Sequence, residues 1–186
     1  MKGRNRHTRL VYMPNFLERF PETPELSRRE KTVLAAGRLS GVKRFELLIE
    51  QFALIHGQAP EWKLRILGEG EDREKLQKQI NRLGAGEYIC LAGRKSGPEV
   101  EKEMCSASIF AMSSSSEGLP FVLLEAQSCA LPILAYDVRV GPGFVVHNGE
   151  DGFLVPEGDD GLYRQRMLKM MKEPELLRQM GLSALS

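Results

Sequence analysis

Arg38 and Lys43 stand five residues apart and place a forked guanidinium and a point charge about one helical turn from each other, across a loop into a helix. That pairing suits a diphosphate, since the planar fork binds two oxygens at once and the ammonium adds a compact charge. It equally describes two solvated charges at a helix entrance. Gly118-Leu119-Pro120 opens another helix whose first backbone amides can face an anion, with Pro120 at the first helical position. A plain strand-to-helix corner reads the same way. Two acids frame this corner: Glu117 just ahead of the helix, where the dipole favours a carboxylate, and Glu125 about two turns farther along. The serines from Ser113 to Ser116 carry little signal and read equally well as a flexible lip.

Metal chemistry finds little support in the same residue types. There is no Asp-x-Asp, and Glu69, Glu71, Glu99, Glu101 and Glu103 read as loop and solvated-helix charges. Neither His7, His56 and His147 nor the cysteines have metal-ligand spacing, so the expectation is no metal site. His56 ends a helix, where a cation suits the dipole.

The elements that must carry these residues alternate strictly. Strands are predicted at 31–37, 62–68, 88–93, 108–113 and 132–137, with a sixth at 151–155. Between them lie helices: one puts Phe45, Leu48, Ile49, Phe52 and Ile55 on a single face, the next carries Leu76, Ile80 and Leu83 inward and stops at Gly84, and another holds Leu123, Leu124 and Ala126. Two helices close the chain, with Met167, Met170 and Met171 packing on the sheet. Strand and helix in alternation give an α/β fold, a doubly wound parallel sheet of Rossmann-like type. Ligands of such sheets bind at the carboxyl ends of the strands. The loops there all carry polar or glycine-rich chemistry: Arg38 and Lys43, Gly68-Glu69-Gly70, Gly93-Arg94-Lys95, Glu117-Gly118, and Asp137 with Gly141-Pro142-Gly143.

With 186 residues, 42% of them hydrophobic, the chain can bury the core of one ordinary domain. Residues 1–30, punctuated by Pro14, Pro21 and Pro24, read as a linker or lead-in segment, and 31–186 as the domain. A formal net charge of +1 gives no bias toward nucleic acid or acidic membranes. No apolar stretch approaches a membrane span, and the basic N-terminus is not followed by a signal-like apolar run. Cys90, Cys105 and Cys129 are odd in number and set among apolar residues, which points to buried thiols in a cytoplasmic protein.

The acid, seven residues and second acid of Glu117-Gly-Leu-Pro-Phe-Val-Leu-Leu-Glu125 resemble the paired-glutamate motif of the retaining, nucleotide-sugar-dependent glycosyltransferases of the GT-B fold, the "glycosyltransferases group 1" family. "AAGRLSGVKRFELLIEQF", "LRILGEGEDREKLQ", "ICLAG", "ALPILAYDV" and "NGEDGFLVPEGD" are similar to its further segments in order and spacing, from about Pro14 onward.

The resemblance implies the C-terminal, donor-binding half of a GT-B enzyme, an N-terminal acceptor domain lying outside this sequence, and turnover only by the two halves together. Arg38 and Lys43, with Gly37 beside them, would hold the donor diphosphate and stabilise the leaving group. Glu125 would receive the ribose hydroxyls, and Glu117 hydroxyls of the donor sugar, helped by the free backbone amides of the segment that runs from Gly118 through Leu119 and Pro120 to Phe121. Arg94 would lie near the base. The implied reaction moves a hexose, with retention and without a cofactor, from a UDP-sugar first and a GDP-sugar second to a glycan or lipid-linked acceptor in polysaccharide biosynthesis. Location at the inner membrane face and weak dimerisation through the cleft are further expectations.

Two departures stand out: Arg44 follows Lys43 where the family has glycine, and Phe144 stands where it often has an acid. Rival readings are a sugar-nucleotide epimerase of the same fold, a non-catalytic nucleotide-sugar-binding module, and a dinucleotide-binding oxidoreductase domain. The last is opposed by Gly37-Arg38-Leu39 in place of Gly-x-Gly-x-x-Gly after the first strand.

Overall fold

Six short runs of β-branched and apolar residues become strands: β1 (Thr32–Ala36), β2 (Lys63–Leu67), β3 (Ile89–Gly93), β4 (Ile109–Met112), β5 (Ile133–Asp137) and β6 (Gly152–Pro156). The computed structural model describes residues 29–118, 120–139 and 141–185, so nearly all of the segment read as a linker lies outside the described residues. Neighbouring strands pair in parallel, in the order β3-β2-β1-β4-β5-β6. Helices α1 (Phe45–His56), α2 (Arg73–Arg82), α3 (Gly97–Ser106), α4 (Phe121–Ser128), α5 (Asp160–Lys172) and α6 (Pro174–Ser183) cover both faces. Burial on both sides explains why the central strands read as continuous apolar runs.

Alternation along β1 divides the core in two. Val33 and Ala35 point to one layer with Leu48, Ile49 and Phe52 of α1, Leu76 and Ile80 of α2, and Met167 and Met170 of α5. Leu34 points the other way, toward Met104 of α3 and Leu123 and Ala126 of α4. The predicted apolar face of α1 is buried throughout, as are the three methionines of α5.

Three local expectations need correction. Leu83 is 39% exposed, because α2 ends one residue earlier and its cap turns that side chain outward. Cys90 is exposed, since β3 is an edge strand and that position faces away from the core; only Cys129 is fully buried, and all three thiols are unbridged. Pro120 occupies the cap position before α4 and not its first helical residue.

Close backbone packing joins the loops after β1 and β2. A Cβ on Gly68, whose φ is +143°, would lie 1.8 Å from the Gly37 carbonyl oxygen. At the opposite end of the sheet, the sole tryptophan, Trp62, precedes β2 and is buried in the larger core layer. Among the described residues, no helix is long and apolar enough to cross a membrane.

Candidate functional site

The strand order reverses between β1 and β4, and the loops leaving these strands diverge to helices on opposite faces of the sheet, opening a crevice. The β1–α1 loop contains a short 3-10 turn, Gly41–Lys43, and then Arg44 in the left-handed region at φ 48°, ψ 41°. Facing it, the β4–α4 loop carries Ser113 to Pro120. Ser115 N donates to the Val42 carbonyl at 3.0 Å, and Ser113 Oγ donates to the Lys43 carbonyl at 2.7 Å.

Across this crevice Lys43 Nζ lies 2.5 Å from Glu117 Oε1, with the two side chains only 22% and 10% exposed. The lysine reaches inward because Gly37 has no side chain: a Cβ there would come within 3.2 Å of Lys43 Cε. Gly141 performs a similar service on the other side. Its φ is +118°, and a Cβ would meet the Gly118 carbonyl oxygen at 2.9 Å and Glu117 Cβ at 3.0 Å, so the loop after β5 closes directly on the Glu117 corner.

Arg38 behaves differently from Lys43. Its side chain is 75% exposed, with Nε 3.2 Å from Glu71 Oε2, so the two proposed diphosphate cations engage different carboxylates. A cleft of about 350 Å³ is lined by Gly37, Arg38, Gly68, Glu69, Arg94 and Lys95, which brings Arg94 to the β1 and β2 side of the crevice. Gly118 is exposed, Pro120 buried and Phe121 half exposed at the start of α4, while Leu119 lies outside the described residues. Glu125 lies on the outer surface of α4, and partial burial holds its carboxyl above the ordinary range. Hydroxyl donors arriving there would favour the charged carboxylate and offset that cost.

Sequence reasoning missed several residues that shape this site. Ser113 and Ser114 are buried, so the start of the serine tract is a packed joint between loops and not a lip. Arg44 donates from Nε to the Ser113 carbonyl at 2.7 Å and from Nη2 to that of Ser114 at 3.2 Å. The sequence marks Arg44 as standing where the resembled family has glycine, but carries no sign of these bonds. Phe144 is 76% exposed in a second 3-10 turn, Pro142–Phe144. Among the described residues, no three His, Cys, Asp or Glu side chains cluster as a metal site.

A parallel sheet in this order, with charged and glycine-rich loops gathered at its switch point, defines a Rossmann-like α/β domain. The solved structures it resembles are GT-B glycosyltransferases. One is a variant of S. aureus TarM solved with UDP, at TM-score 0.80 and 24% identity, covering 94% of this chain and 34% of that one.

The chain belongs to the glycosyl transferases group 1 family, which it matches over residues 18–185. It is 34% identical to an exopolysaccharide phosphotransferase of Streptomyces coelicolor over 93% of its own length and 18% of that protein. With the amylovoran biosynthesis glycosyltransferase AmsD of Erwinia amylovora it shares 30% identity over 91% of its length and 46% of AmsD. The chain thus spans less than half the length of either relative.

Proposed function

We propose that this chain binds the donor in a retaining glycosyltransferase that moves a hexose from a nucleoside-diphosphate sugar to a glycan or lipid-linked acceptor. The observation that carries this reading is the Lys43–Glu117 pair across the switch point, a cation for phosphate and an acid for hydroxyls held within 2.5 Å. Family membership supports it, and a UDP-sugar is the first choice of donor because the TarM variant of the same fold was solved with UDP. Polysaccharide biosynthesis is the assigned setting, in line with AmsD and the exopolysaccharide enzyme. Three unbridged thiols agree with a cytoplasmic site.

Departure of the nucleoside diphosphate leaves positive charge on the anomeric carbon and negative charge on the terminal phosphate. Fixed cations and amides must meet the latter, and such preorganised groups commonly supply the greater part of an enzyme's rate enhancement. Lys43 fills this role from within the crevice, with Arg38 swinging from Glu71 to join it and the amides of Gly118, in the loop ahead of α4, and Phe121, its first residue, completing the cradle. Glu117 accepts from donor-sugar hydroxyls and Glu125 from the ribose, while Arg94 flanks the base beside Gly37. An analogue lacking the sugar hydroxyls leaves the largely enclosed Glu117 carboxylate unpaired, which makes that acid the stronger discriminator.

Calorimetric titration with UDP, GDP, ADP and NAD, with and without magnesium, tests the reading. One nucleoside diphosphate should bind regardless of metal, and Lys43→Ala and Glu125→Ala should each weaken it at least about tenfold. Preferential binding of NAD, or full binding by both variants, defeats the proposal.

A further inference from the structure

Two features of Arg44 are unfavourable in themselves: a residue with a Cβ is disfavoured at φ 48°, and its guanidinium is largely withdrawn from water, at 22% exposure. Its nitrogens are all engaged. Besides the bonds to Ser113 and Ser114, Nη1 lies 3.3 Å from Glu157 Oε1, just beyond β6. The guanidinium carbon also sits 5.1 Å from the centroid of the Tyr136 ring of β5. That ring is itself fixed, stacked on Tyr163 of α5 at 4.4 Å and donating its hydroxyl to Asp160 at 2.7 Å. One side chain therefore joins the loop carrying Lys43, the loop carrying Glu117, β5 and the end of β6.

We propose that Arg44 is a positioning residue for Lys43, clamping the β1–α1 loop to the β4–α4 loop so that the lysine is held for a diphosphate. The proposal rests on the reading of Lys43 as a donor-binding group. Arg44 does not serve as another phosphate cation, because its donors are committed to two carbonyls and a carboxylate. Lysine cannot replace it, since a point charge does not span three acceptors in a fixed fork.

Arg44→Gly relieves the backbone and removes the clamp, which separates the two effects. If Arg44 merely tolerates a glycine position, the variant melts higher and is otherwise unchanged. The clamp instead requires amide hydrogen exchange in residues 40–45 and 113–118 to accelerate together, by about tenfold, for the loss of charge-assisted bonds. UDP affinity should fall by about tenfold in Arg44→Gly, with incomplete recovery in Arg44→Lys. In a Lys43→Ala background, Arg44→Gly should cost no further affinity, because the residues act as one unit. Unchanged exchange in both loops overturns the clamp whatever the titrations show. Accelerated exchange with unaltered UDP affinity overturns the positioning role. If the unmodified chain binds no nucleoside diphosphate, the donor reading fails and the positioning role with it, while exchange still decides whether the loops are clamped.

Discussion

Lys43 meets any incoming anion already paired. On the proposed reading, a diphosphate would displace Glu117 from the ammonium and the freed carboxylate would turn to sugar hydroxyls, so that one pair would couple recognition of the two halves of a donor. Glu117→Gln removes the competitor. UDP should then bind a few-fold more tightly, while the preference for a UDP-sugar over UDP shrinks, as calorimetry of the two ligands would reveal. Weaker UDP binding in this variant would mean that Glu117 positions the lysine and does not compete with phosphate.

A second residue-scale effect lies near β6. Asp151 is buried and accepts from Gln127 Nε2, the His147 backbone amide and the His147 ring, the last at 3.0 Å. Hydrogen bonding to Asp151 raises the His147 pKa above its ordinary 6.5. The protonated ring therefore contributes stability fully below about pH 6.5 and loses it as pH climbs through the raised value. Solvent exposure keeps the effect small. The Tm difference between the wild type and His147→Ala should be largest near pH 6 and shrink toward pH 8. A constant difference would assign the contact to packing.

At the scale of elements, glycine sets how closely the loops after β1 and β2 approach. Gly68→Ala forces a methyl group against the Gly37 carbonyl at a φ that favours glycine, and should cost roughly 2–4 kcal/mol in denaturant unfolding. A loss below about 0.5 kcal/mol would show that the loops separate easily. Hydrophobic periodicity made the elements themselves legible: α1 buries every predicted apolar position, β1 to β5 fall within the expected runs, and β6 runs on only to Pro156. Ends and edges were not legible in the same way. Whether Cys90 faces solvent depends on β3 lying at the sheet's edge, and Leu83 on where α2 stops, and neither is encoded in the local pattern.

Across the whole molecule, alternation of strands and helices announced a parallel sheet, yet only tertiary structure reveals that β1 lies between β2 and β4. That adjacency brings Lys43 and Glu117, 74 residues apart in sequence, into contact. Residue types at the strand ends indicated a phosphate-directed edge, whereas the burial of Ser113 and Ser114 and the fourfold reach of Arg44 arise from packing between distant segments. The same polarity gives the sheet two unlike ends. Chemistry gathers where the strands finish, while Trp62 is enclosed where β2 begins. Its indole emission is thus a built-in optical reporter of global unfolding, insulated by the length of the sheet from whatever occupies the crevice.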